Sequence, residues 1–89
     1  MAILSPKVVT SQYMDFHLIQ KKPKTNVWAV MNKSGGYRLG VIQWYAPWRQ
    51  YCFMPEGETL VFSRRCLKDL ADFIANDAGF PYMEVANGN

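Results

Sequence analysis

Leu39-Gly40-Val41-Ile42-Gln43-Trp44-Tyr45-Ala46-Pro47-Trp48-Arg49-Gln50-Tyr51-Cys52-Phe53-Met54-Pro55 reads as two extended runs joined by a tight reversal at Ala46-Pro47. Aromatic and β-branched residues fill both runs, and such residues fit a pleated, half-buried surface. Toward the N-terminus, Gly35-Gly36 suits the positive φ angles of a two-residue hairpin and leads back to an extended run over residues 26–33. The basic turn Lys21-Lys22-Pro23-Lys24 leads back again to a run over residues 13–20. Toward the C-terminus, Pro55-Glu56-Gly57-Glu58 turns into a short strand over residues 59–62. The last element is a helix. Ser63 is a good N-cap, and Leu67, Leu70, Ala71 and Ile74 recur at i, i+3, i+4 and i+7. Cys66 and Phe73 widen that stripe, Lys68, Asp69, Asp72 and Asn76 hold the other side, and Gly79 is a suitable stop. A stripe this apolar must lie on the sheet.

The expected fold is therefore α+β: an antiparallel meander of four to five strands with one C-terminal helix packed on one face. Residues 13–78 form the domain, residues 1–12 a loose N-terminal arm, and residues 79–89 a mobile C-terminal tail with no period of its own.

Two two-residue loops fix a register by counting, and side chains alternate between faces. One face then carries Trp28, Val30, Leu39, Val41, Gln43, Tyr45, Trp48, Gln50, Cys52 and Met54. Its aliphatic row suits the helix. The other carries Val27, Ala29, Met31, Lys33, Arg38, Gly40, Ile42, Trp44, Arg49, Tyr51 and Phe53, with Gly40 opposite the Phe53 ring. Rings edged by cations make a binding platform, so Trp44, Arg49, Tyr51, Phe53, Arg38 and Lys33 are the candidate partner-binding residues. Three large rings on a small sheet equally suit a core, and a slip of one residue would exchange the faces.

Length and composition bound the function. At 89 residues and 49% hydrophobic, the chain suits one globular domain. The N-terminal stretch lacks the charged start and apolar core of a secretory signal, and nothing approaches a membrane helix. A cytoplasmic protein with free thiols at Cys52 and Cys66 is the expectation. The net charge of +3 is uneven: residues 1–55 hold seven Lys and Arg against one acid, and residues 56–89 hold three against six. Anionic partners suit the basic part.

Catalytic constellations are weak. Cys66 follows Arg64 and Arg65 in the first helical turn, a setting that lowers a thiol pKa, but His17 has no motif around it to serve as a base. Cys52, Cys66 and His17 lack metal-ligand spacing, and no phosphate-binding or nucleophile motif is present. Neither an enzyme nor a cofactor is expected. Arg65 and Asp69 are spaced to pair along the helix.

The quoted stretch resembles a family of small proteins encoded in tailed-phage and prophage genomes, with the pattern LGxIxWYxxWRxYxFxP. The resemblance continues upstream through Lys21-Lys22-Pro23-Lys24-Thr25 and downstream through Cys66-Leu67-Lys68-Asp69-Leu70-Ala71-Asp72-Phe73-Ile74. Met54 departs from it, standing where the pattern has a second Phe. The resemblance implies a source, a bacterial host cytoplasm, and no particular mechanism. Two readings follow. The first is a non-catalytic module that occupies a host protein, as an inhibitor of an enzyme or a defence system would. The alternative is single-stranded nucleic-acid binding, with bases stacked on the rings and phosphates along the cations. No membrane partner is expected, and a homodimer is a further possibility.

Overall fold

Runs of seven and eight residues rich in aliphatic and aromatic side chains form the three central strands, β2 (Met14–Lys21), β3 (Asn26–Asn32) and β4 (Arg38–Tyr45). β5 (Gln50–Pro55) and the short β1 (Val8–Thr10) flank them, and α1 (Arg64–Asn76) follows. The structure, a computed structural model, describes residues 8–57 and 61–79. All neighbouring strands are antiparallel in one open sheet ordered β1-β2-β3-β4-β5. The meander with a C-terminal helix is the expected fold.

The extra strand comes from the N-terminal side. Val8–Thr10, within the stretch assigned to an arm, pairs with β2. Of the strand expected over residues 59–62, residues 59 and 60 lie outside the described residues, and Val61 and Phe62 are not in a strand. The assigned tail also lies outside them, apart from Gly79.

The β3–β4 connection corrects the expected register. Asn32 closes it: its backbone N–H donates to the Tyr37 carbonyl at 2.8 Å, and its side-chain Oδ1 accepts from the Gly35 N–H at 2.8 Å. The loop is thus longer than Gly35-Gly36, although Gly36 does take a positive φ of 74°. Trp28 consequently lies opposite Ile42, one residue away from the expected Gln43. A slip of one exchanges faces. Trp28 and Val30 therefore join Ile42 and Phe53, and this is the face that α1 covers. Leu39, skipped between the pairs Val30–Gly40 and Met31–Arg38, turns into the same core. Val41, Gln43, Tyr45, Cys52 and Met54, expected beneath the helix, face away from it.

At the β4–β5 connection the chain makes a 3-10 turn, Ala46–Trp48, followed by Arg49 in the left-handed region at φ 54° and ψ 47°. Tyr45 then opposes Gln50. That displacement is two residues, so the relative faces of β4 and β5 stay as expected.

The core is aromatic. Phe73 of α1 stacks on Phe16 with centroids 4.0 Å apart, and Trp28 meets it edge-on at 4.8 Å. Met14, Val30, Ile42, Leu70 and Ala78 complete it. The packed line of the helix is Cys66, Leu70, Phe73 and Ile74, while Leu67 and Ala71 are exposed. Ser63 caps the helix, its Oγ accepting from the Cys66 N–H at 3.2 Å. The C-cap is Asp77, ahead of Gly79.

Polar ties fix α1 on the sheet at both ends. Asp69 Oδ2 accepts from Ser11 Oγ at 2.9 Å and from the Tyr13 N–H at 3.3 Å. Arg65, spaced to pair with Asp69, instead donates to the Tyr13 hydroxyl at 3.1 Å. At the other end the Ala78 carbonyl accepts from Trp28 Nε1 at 2.9 Å and from Asn26 Nδ2 at 3.0 Å.

Candidate functional site

In an antiparallel meander, alternate connections emerge at the same end of the sheet. The β2–β3 and β4–β5 connections thus share one end, and the β1–β2 and β3–β4 connections share the other. With strands about 4.8 Å apart, the two turns of the first end sit roughly 10 Å from each other. Tyr51 links them directly, its hydroxyl accepting from the Asn26 N–H at 3.1 Å.

Each turn contributes one kind of side chain. The β2–β3 turn, closed by the Lys22 N–H donating to the Thr25 carbonyl at 2.8 Å, presents Lys22 and Lys24, with Lys21 half-buried beside them. The β4–β5 turn presents Trp44 at 41% exposure, Trp48 at 66%, and the exposed Arg49. Tyr51 braces Trp44 edge-on at 5.4 Å, and Tyr45 braces Trp48 in the same way at 5.1 Å. The indoles are held in place while much of their surface stays in water. Holding a non-glycine residue left-handed at Arg49 costs about 1 kcal/mol, and such strain gathers at functional positions.

Electrostatics set this end apart. Lys21, Lys22, Lys24 and Arg49 make no ion pair with any described residue. Their spacing is comparable to a Debye length of about 8 Å, so their fields add. At the opposite end the cations are engaged. Lys33 Nζ lies 2.7 Å from the Ser11 carbonyl oxygen and 3.7 Å from Asp15 Oδ1, and Arg38 Nε lies 3.0 Å from Glu56 Oε1.

The six residues read from the sequence as a platform are accordingly dispersed. Trp44 and Arg49 lie at the turn end. Tyr51 lies between them and the core, its ring packed and its hydroxyl occupied. Phe53 packs against the core and meets Phe62 edge-on at 5.6 Å. Lys33 and Arg38 sit at the far end in ion pairs. Sequence reasoning missed Trp48, Tyr45 and the lysine turn as companions of Trp44. The signal was available: the parity of connections in a meander assigns both turns to one end whatever the register.

Other groups offer less. His17 opposes Ala29 on the uncovered face, whereas Cys66 packs against the core, so the sheet separates them. Among the described residues no cluster of His, Cys, Asp and Glu could hold a metal, and no helix is long and apolar enough to cross a membrane. A groove of about 160 Å³ between β1 and α1 is lined by Asp69, Asp72 and Asp77. Asp69 is spent on Ser11 and Tyr13, and Asp72 on Lys68 at 2.8 Å. The hydrogen bond of Arg65 to the Tyr13 hydroxyl and that of Lys68 to Asp72 raise the pKa values of these two cations. Neither lies at the turn end.

No protein-family model matches this chain, and no solved structure does. A protein of Acholeplasma phage L2, described as "Uncharacterized 9.3 kDa protein", is 31% identical over 68 residues. The matched stretch covers 75% of this chain and 86% of the phage protein.

Proposed function

This chain belongs to the same family as that phage protein, and from this premise we propose that it is a non-catalytic binding module which grips a host protein by the lysine- and tryptophan-bearing end of its sheet. One observation carries the reading. Two braced but exposed indoles stand beside cations that make no ion pair with any described residue. Tryptophan supplies much of the energy at interface hot spots because it buries a large rigid area at little rotamer cost. Clustered, exposed lysines steer toward, and select, an acidic partner surface. An inhibitor of a host enzyme or of a defence system would work in this way, by occupying a surface.

The same lysines favour a second reading. Bases could stack on Trp48 and Trp44 while Lys21, Lys22 and Lys24 follow the phosphates of a single strand.

The test uses immobilised wild type, Trp48→Ala and Lys22→Glu as baits in host lysate. Both side chains are exposed, so each variant should fold as the wild type does. The wild type should retain a discrete protein, and Trp48→Ala should weaken its capture by about 2 kcal/mol, roughly thirtyfold. Retention by both variants at wild-type strength would remove the site. A parallel titration of labelled oligo-dT separates the readings: binding that falls steeply with added salt transfers the site to nucleic acid.

A further inference from the structure

Sheet edges are where unpaired backbone accumulates, and this sheet has two unequal ones. β1 is three residues long, too short to template much. β5 has six residues, Gln50-Tyr51-Cys52-Phe53-Met54-Pro55, and no charged side chain. Among the described residues its backbone pairs with β4 alone, and its outward N–H and C=O groups make no backbone hydrogen bond to any other described segment. Natural edge strands are usually blunted by lysine, a bulge or a covering loop. β5 pairs with β4 through six consecutive residues without a bulge, and only Pro55, at its very end, removes a donor.

We propose that β5 pairs antiparallel with β5 of a second copy, joining two five-stranded sheets into one of ten about a two-fold axis. Antiparallel pairing of identical strands is self-complementary, which a closed dimer requires. Keeping the helices on one side of the joined sheet requires opposed residues of like parity, so the axis passes at Cys52 or at Phe53. Either choice places Arg49, which makes no ion pair with any described residue, within about two residues of Glu56 of the second copy, where it can share the carboxylate that Arg38 holds. The strand between them carries no charge to repel its twin. Opposite charges thus bracket a neutral strand, and this pattern favours a second copy over an unrelated strand. Interfaces built on one short strand pair fall at the small end of the range, so the dimer should form in a concentration-dependent way.

Sedimentation equilibrium of the purified full chain tests this without any other partner. The wild type should pass from monomer to dimer as its concentration rises. Cys52 points away from α1, so Cys52→Lys should leave the fold, followed by circular dichroism, unchanged. It sets two lysines near the axis and should weaken dimerisation by about tenfold or more. Cys52→Ser should dimerise as the wild type does. Should Cys52→Lys not fold, Gln50→Glu, exposed on the same strand and set against Glu56 of the second copy, carries the same expectation. A wild type that is monomeric throughout would overturn the proposal and leave the edge to a strand of another protein. So would a folded Cys52→Lys or Gln50→Glu variant that dimerises like the wild type.

Discussion

Phe73→Ala should destabilise the protein by about 3–5 kcal/mol, the range for truncating a buried aromatic. Phe73 is 3% exposed and is the residue through which α1 holds the sheet, stacked on Phe16 and edge-on to Trp28. Removing it separates two rings that otherwise meet through it, and neither can collapse into the space while Trp28 is tethered to the Ala78 carbonyl. A domain of this size holds only roughly 5–10 kcal/mol in total. Urea denaturation should therefore show most of the stability lost, with the midpoint moved far toward zero denaturant. A loss below about 1 kcal/mol would mean that α1 does not seal the sheet through this ring.

Gly40→Ala should cost about 3 kcal/mol, at the upper end of the range for overpacking. A Cβ at Gly40 would run into the Met54 carbonyl oxygen, and would lie 2.8 Å from Pro55 Cα and 2.9 Å from Phe53 Cε1. Two of those atoms belong to backbone in the neighbouring strand, so relief requires β5 to move away from β4. The same urea experiment reads the loss, and weakened amide-exchange protection should appear along β4 and β5 before it appears in β2. A neutral substitution would show that the strands pass each other differently from the register described.

Much of the fold was legible because it rests on local chemistry. Apolar periodicity placed α1 and Ser63 marked its first turn, while the aromatic runs on either side of Ala46-Pro47 marked β4 and β5. The pairing of faces was less legible, since it depended on one loop. Gly35-Gly36 looked sufficient for a hairpin, but Asn32 captures the chain earlier, bonding to Gly35 and Tyr37, and lengthens the connection. That single residue of slip brought Ile42, Tyr51 and Phe53 onto the helix-covered face beside Trp28 and Val30, and so took Phe53 and most of Tyr51 out of reach of a partner. At Ala46-Pro47 the misjudgement was harmless, because a shift of two preserves the face.

The candidate site suffered from the same dependence. Membership of a sheet face hinges on register, whereas the exposed rings stand at an end of the sheet, where membership hinges only on the order of strands. Trp48 shows the difference. Counted as a strand residue it belonged beneath the helix; in the 3-10 turn it stands clear of the sheet at 66% exposure. The cations sorted by a different principle. Lys33 and Arg38 found Asp15 and Glu56 through long-range pairing that no local pattern announces.

Quenching of the three indoles by ions of opposite charge tests this arrangement most directly. With Trp28→Phe, Trp44→Phe and Trp48→Phe used to assign each contribution, Trp28 should be protected from both iodide and caesium. Trp44 and Trp48 should be quenched more strongly by iodide than by caesium, and raised salt should narrow the gap as it screens Lys21, Lys22, Lys24 and Arg49. Ready quenching of Trp28, or caesium matching iodide at Trp48, would contradict the account.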